Sequence, residues 1–278
     1  MRLNFAGKTV LITGSSMGIG KGLSKCFAQD KANLVLTDLP SEKGRLANWA
    51  KELETSHNIK TWTLSIDLTE TNGPETLYRQ VIDSVGKIHT LVNNAGLCWY
   101  GKFHDMPKDR LEKMVLLNCM AYAKLSRLFL PSMIENDEGA ILNVSSVAAF
   151  QPLPTMALYS ATKAFTQTLS EAIRYELPLK SKIVVSTLNP PFSKTALIKD
   201  AGIPEDFIPL SLSFKDVESI TASGYQAFKN GRMLYVPGWQ NRFLHLGLAR
   251  YLPRRIVNRV VWLFMHCWSD FLPSTLIR

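Results

Sequence analysis

Seven short apolar runs recur along this chain, with helically spaced stretches between them. That alternation constrains the fold more than any other feature. The runs are KTVLIT (8–13), NLVLTD (33–38), KTWTLSID (60–67), KIHTLVNN (87–94), AILNVSS (140–146), KIVVSTLN (182–189) and RMLYVPG (232–238). Near-continuous apolar runs, as opposed to alternating ones, mark strands covered on both faces. Helical patterns cover 18–30, 42–56, 75–85, 108–133 and 156–177. Strand and helix in alternation call for parallel neighbours joined by right-handed crossovers. The pattern predicts an α/β fold over residues 1–238: a doubly wound parallel sheet of about seven strands with helices on both faces. Residues 239–278 read as a basic, apolar helical appendage. With 46% hydrophobic and 20% charged residues, the composition suits a packed core.

The same reading excludes several classes. The first seven residues are short and polar and run straight into a strand, unlike a signal peptide. No segment reaches the roughly 20 apolar residues that span a bilayer. Cys26, Cys98, Cys119 and Cys267 are far apart with no CxxC pair, as expected of reduced thiols in a cytoplasmic protein. The five histidines show no ligand spacing, so no metal site is expected. The chain carries a net +9, and from Arg232 onward it has seven arginines against one acid, Asp270. A basic tail beside apolar residues points to an anionic surface. Nucleic acid is not expected, since no basic stripe or binding motif appears elsewhere.

After the first run comes TGSSMGIGKG, with Gly14, Gly18 and Gly20 at a strand-to-helix turn. Glycines there let the backbone turn tightly and approach a pyrophosphate, which then sits at the positive helix N-terminus. The same residues spell G-x-S-x-G, the elbow of α/β-hydrolases, around Ser16. Only 13 residues precede Gly14, too few to supply the earlier strands an elbow needs. The second run ends in Asp38, 18 residues after Gly20, about where a Rossmann-like dinucleotide site keeps a carboxylate for the ribose hydroxyls. A carboxylate there repels a 2′-phosphate, and neither Met17 nor Leu39 supplies a cation, so NAD is expected over NADP. Lys43 and Arg45 lie nearby and pull the other way. As a purely structural residue, Asp38 would cap the turn before Pro40.

YSATK places Tyr159 and Lys163 four apart on one helix face. Tyr225 and Lys229 match the same pattern, so the surroundings decide. Ser146 lies 13 residues before Tyr159 and Asn118 lies 41 before it. The same offsets from Tyr225 reach Leu212 and Val184, which carry no proton chemistry. Tyr225 and Lys229 are read as ordinary helix-surface residues.

Taken together, TGSSMGIG, NNAG (93–96), Asn118, Ser146 and YSATK resemble the short-chain dehydrogenase/reductase family from about Lys8 to Gly238. The chain is similar to bacterial members and, more distantly, to hydroxysteroid and long-chain 3-oxoacyl reductases. The resemblance implies roles. Tyr159 exchanges a proton with the substrate oxygen, while Lys163 and a positive nicotinamide ring favour its phenolate. Lys163 also bonds the nicotinamide ribose. Ser146 holds the carbonyl or alcohol oxygen, and Asn118 positions a water that links Lys163 to solvent. The loop residues Gly14, Ser16, Met17, Gly18, Ile19 and Gly20 hold the cofactor with Asp38. Asp67 and Leu68 flank the adenine, Asn94, Ala95 and Gly96 line the cleft, and Pro190 and Thr195 lie at the carboxamide. One departure is Pro191, where the family usually has glycine. Proline fixes φ and removes an N–H, so the nicotinamide loop is expected to take a different path.

The segment after Thr195 carries Leu197, Ile198, Ile203, Phe207, Ile208, Leu210 and Phe214. The segment after NNAG adds Leu97, Trp99, Tyr100 and Phe103. An apolar wall suits a hydrophobic alcohol or ketone, with Ser146, Trp99, Phe103, Phe192 and Leu197 as candidate contacts; the same residues could equally pack the lid onto the core. The expected activity is NAD-dependent oxidation or reduction of a lipophilic secondary alcohol or ketone, in lipid or steroid metabolism, by a homodimer or homotetramer. The alternatives are an NADPH-dependent 3-oxoacyl reductase and a non-catalytic nucleotide sensor. In the tail, residues 254–268 are expected to form a helix after Pro253. It could cover the lid, pack on a second subunit, or lie in the interface of an anionic membrane at its inner face.

Overall fold

Strand residues alternate between the two faces of the sheet, and that alternation divides the core. The computed structural model describes residues 2–193, 197, 200–203, 216–248 and 251–269. The strands are β1 (Thr9–Thr13), β2 (Asn33–Asp38), β3 (Thr61–Ser65), β4 (Thr90–Asn93), β5 (Ala140–Val144), β6 (Val184–Leu188) and β7 (Leu234–Tyr235). All pair in parallel in the order β3-β2-β1-β4-β5-β6-β7. On one face Val10, Ile12, Leu34 and Leu36 pack with Leu23 and Phe27 of α1 (Gly18–Gln29) and Leu46 and Leu53 of α2 (Lys43–His57). On the other, Leu11, Val35, Leu91 and Ile141 meet Leu77 and Val81 of α3 (Gly73–Val85) and Phe129 of α5 (Tyr122–Glu135). Each such fully buried side chain stabilises the fold by roughly 1.5–3 kcal/mol. Phe27 is a focal point, edge-on to Phe5 at 4.8 Å and to Tyr225 at 4.9 Å.

Strand order reverses direction between β1 and β4. Their carboxyl ends therefore diverge into a crevice, the usual ligand position in an open α/β sheet. The glycine loop after β1 and NNAG after β4 both open into it.

Two expectations need correction. The helical pattern 108–133 is not one helix. It is α4 (Lys108–Val115), a π-helical turn (Leu116–Ala121) and α5. On that turn the Asn118 carbonyl accepts from the Thr166 hydroxyl at 3.2 Å. Single π turns of this kind are often found at functional sites. Tyr225 and Lys229 are not surface residues either. They lie on the helix Val217–Lys229, with Tyr225 buried, and both donate to the Asp30 carboxylate at the end of α1. Their spacing serves an interhelical tie.

Beyond β7, a short helix (Trp239–Arg242) runs into a π-helical stretch (Phe243–Leu248), and the tail helix spans Arg254–Ser269. Among the described residues, no helix is long and apolar enough to cross a membrane.

Candidate active site

Tyr159 and Lys163 lie one turn apart on α6 (Ala157–Glu176), and both are buried. The carboxyl end of β5 brings Ser146 to the same place. A polar ladder holds the helix to the sheet: Asn93 Nδ2 donates to Asn143 Oδ1 (2.8 Å), and Asn143 Nδ2 donates to Ser170 Oγ (2.7 Å). Ser145 Oγ donates to the Lys163 carbonyl at 2.8 Å. The Lys163 ammonium donates to the Val144 carbonyl (3.0 Å) and lies 5.7 Å from the Tyr159 ring centre and 5.6 Å from that of Tyr122. Ser146 Oγ accepts from the Ala148 N–H at 3.1 Å, which leaves its own proton free to meet a substrate oxygen or the phenol.

Burial acts against the expected phenolate. It pushes the Tyr159 phenol above its usual range, the nearby Cys98 adds to this, and the Ser146 hydroxyl pulls back only part of it. Burial also lowers Lys163 to about 8. Among the chain's own groups, the stable form near neutrality is therefore a neutral phenol, ready to donate. Cys98, buried at the same place, has its thiol pushed up to about 12 by burial and stays neutral.

Asn118 sits on the π turn with three hydrogen bonds to its amide. Its Oδ1 accepts from the Leu97 N–H (2.8 Å), and its Nδ2 donates to the Leu97 carbonyl (2.8 Å) and to Thr162 Oγ1 (3.0 Å). The side chain clamps the loop after β4.

The glycine loop lies at the other end of a cleft of about 440 Å³ that runs from Asp38 past Gly14 to Tyr159. Gly14 has φ +64°, and a Cβ on Gly20 would stand 2.1 Å from the Gly14 carbonyl oxygen, so the α1 terminus approaches the loop as only glycine permits. Asn94 Nδ2 donates to the Thr13 and Gly14 carbonyls at 2.9 Å, tying the loop to the end of β4. Met17, Gly18, Ile19, Ala95, Gly96 and Pro190 line the cleft. Asp38 Oδ2 accepts from the Ser16 N–H and Oδ1 from the Leu39 N–H, both at 2.9 Å. The buried Ser16 Oγ has no partner among the described residues. A close glycine turn at the start of α1, an orphaned hydroxyl and a carboxylate at the strand end fit a dinucleotide: diphosphate at the loop, ribose at Asp38.

The other sequence candidates divide between the cleft and its surroundings. Leu68 lines the cleft, but the Asp67 carboxylate turns back to accept from the Thr69 N–H (2.8 Å) and hydroxyl (2.7 Å). Phe192 and Leu197 line the cleft mouth. Phe103 does not: on its short turn it is 57% exposed. Trp99 folds over Gly101 and packs in the apolar cluster around Tyr159 without lining the cleft. Pro191 is buried at the cleft, and the Val147 N–H donates to the Pro190 carbonyl at 3.0 Å. Thr195, Ile198, Phe207, Ile208, Leu210 and Phe214 lie outside the described residues. Sequence reasoning missed Arg110, which lines the cleft and donates to the Cys98 carbonyl at 2.8 Å. A single arginine in a charged helix such as KDRLEKMV gives no signal of its own.

A parallel sheet with its crevice at β1/β4, a glycine loop and a buried Ser-Tyr-Lys set define a dinucleotide-dependent oxidoreductase. The short chain dehydrogenase family profile matches residues 8–205, and this chain belongs to that family. It is an oxidoreductase acting on CH–OH groups. It is 30% identical over 268 residues to a very-long-chain 3-oxoacyl-CoA reductase of Danio rerio, covering 94% of this chain and 81% of that one. A short-chain dehydrogenase from Sphingobium yanoikuyae, solved in complex with NADPH, matches at 27% identity and a TM-score of 0.77, covering 96% of this chain and 97% of that one. A Burkholderia phymatum short chain dehydrogenase/reductase, solved with NAD, shares the fold at 23% identity and a TM-score of 0.77, covering 89% and 93%.

Proposed function

We propose that this chain reduces a lipophilic ketone, and oxidises the corresponding secondary alcohol, with NAD(H) as cofactor. The observation that carries this reading is a buried Tyr159 beside Lys163 and Ser146, in one cleft with the glycine loop and packed in an apolar cluster. Phe192, Leu197 and Leu97 line the cleft itself, backed by the cluster that holds Tyr159, with Leu153, Met156, Ile203 and Met265. Ser146 donates to the substrate oxygen and orients it. Tyr159 donates its proton to that oxygen as the carbonyl carbon is reduced, and Lys163 holds a positive charge close to the phenol as it becomes negative. Bound in the cleft, a nicotinamide supplies the hydride. The backbone around Gly14 and Gly18, with Ser16, would hold its diphosphate, and Asp38 and Lys163 its riboses.

Asp38 supports NAD over NADP, because its carboxylate faces the loop where a 2′-phosphate would sit. Arg45 is the nearest counterweight: it approaches the Met17 sulfur at 4.0 Å, but Glu42 neutralises it at 2.7 Å. That arginine, with the NADPH bound in the similar Sphingobium structure, gives the second reading, an NADPH-dependent 3-oxoacyl reductase. Exposed Leu116, Met120 and Phe165 on the π turn and α6 support assembly into a homodimer or homotetramer. The test is to measure NADH and NADPH affinity in wild type and Asp38→Ala, then turnover on ketones of increasing chain length. NADH should bind more tightly to wild type, and Asp38→Ala should narrow the gap at least about tenfold, the weight of roughly 1.4 kcal/mol. Tighter NADPH binding by wild type moves the assignment to the second reading.

A further inference from the structure

The tail helix Arg254–Ser269 has two unlike sides. Val257, Val261 and Met265 recur every four residues and so share one side. Val261 and Met265 pack in the apolar cluster that holds Tyr159, and Met265 is only 4% exposed. On the far side Ile256, Val260 and Leu263 form a second apolar stripe, 47%, 57% and 52% exposed. Arg255 and Arg259 run alongside that stripe, both exposed. The segment before the helix adds the exposed side chains of Trp239, Phe243 and Leu244.

An exposed apolar stripe of this kind calls for a partner, and the charge pattern says which. Residues 232–269 contain six arginines and no aspartate or glutamate. The ion pairs among the described residues involve none of Arg242, Arg254, Arg255 and Arg259. A symmetric contact with a second copy places the same patch on both sides, setting arginine against arginine. An anionic lipid surface instead meets the arginines with phosphates and takes the apolar stripe into the acyl boundary. We propose that the outer face of the tail helix, with the turn before it, docks on an anionic bilayer surface. The inner face of the same helix packs, through Val261 and Met265, on the apolar cluster that holds Tyr159, so docking brings that side of the site to the lipid and a lipophilic ketone enters without crossing water. The docking rests on the surface alone, and the delivery step rests on the oxidoreductase reading.

Full-length protein is floated with vesicles of phosphatidylcholine alone or with added phosphatidylglycerol, at low and high salt. Wild type should float with the phosphatidylglycerol vesicles only, and high salt should release it. Val260→Glu should lose flotation, and Arg255→Ala with Arg259→Ala should weaken binding roughly thirtyfold. Both variants should keep wild-type turnover of a short water-soluble ketone, since neither changes a residue in the cleft, while turnover of a vesicle-borne ketone should fall about tenfold. Wild type that stays off anionic vesicles overturns the docking. A Val260→Glu variant that loses oligomer mass but still floats gives the face to a second copy and overturns it too. Flotation with equal turnover of the vesicle-borne ketone overturns the delivery. Wild type inactive on both ketones counts against the oxidoreductase reading, not the docking.

Discussion

Tyr159 and Lys163 share one small volume, and burial moves their protons in opposite senses. It raises the phenol and lowers the lysine to about 8, so each group is pushed toward its neutral form. The consequence for turnover has a definite sign. In the proposed reaction, ketone reduction uses the protonated phenol, which persists below its raised value, so the rate should be nearly flat between about pH 6 and 8. Alcohol oxidation needs the phenol to lose its proton first and should rise about tenfold per pH unit over the same range. Steady-state rates in both directions check this, and an oxidation rate that is flat with pH would contradict it. The residue types and spacings of Ser146, Tyr159 and Lys163 were readable because the chemistry itself demands them. The destination of Asp67 was not, since an aspartate two residues before a threonine can equally close its own turn. Nor was that of Phe103: the sequence shows an apolar residue but not which way a short turn points it.

At the scale of elements, sheet and crossovers followed from the apolar runs, because a strand covered on both faces has few alternatives. Helix continuity through 108–133 did not follow. A π turn leaves helical periodicity nearly intact, and the hydroxyl of Thr166 that bonds the Asn118 carbonyl there lies 48 residues away. The second Tyr-x-x-x-Lys pair illustrates the same limit: one spacing lines the cleft on α6 and forms an interhelical tie on the helix Val217–Lys229. Burial pushes the Asp30 carboxyl up, but the bonds from Lys229 and Tyr225 outweigh it, and its net position is below the usual carboxylate range. A carboxylate lowered in the folded state adds stability above its unfolded value, and that stability is lost as pH falls through the folded one. Tyr225→Phe should therefore lower stability by about 1 kcal/mol near neutrality, with a smaller penalty in acid. Chemical denaturation at two pH values measures it, and an unchanged denaturation midpoint would show the tie to be idle.

For the whole molecule, the chain opens its cleft at a crevice fixed by strand order and packs Tyr159 in a cluster of apolar side chains from segments far apart in sequence. Met114, Ala148, Leu153, Ile203 and Met265 meet there, a gathering that no local pattern announces. The central claim is that this assembly transfers a hydride and a proton, rather than sensing a nucleotide. The most direct test follows nicotinamide absorbance with a panel of lipophilic ketones, for wild type, Tyr159→Phe and Tyr225→Phe, alongside NADH binding to each. Wild type and Tyr225→Phe should consume NADH in a ketone-dependent way. Tyr159→Phe should bind NADH nearly as well yet retain less than about a hundredth of the turnover, the loss expected when general acid–base catalysis is removed. Turnover in Tyr159→Phe close to wild type, or NADH binding by wild type with no turnover on any ketone, would contradict the account.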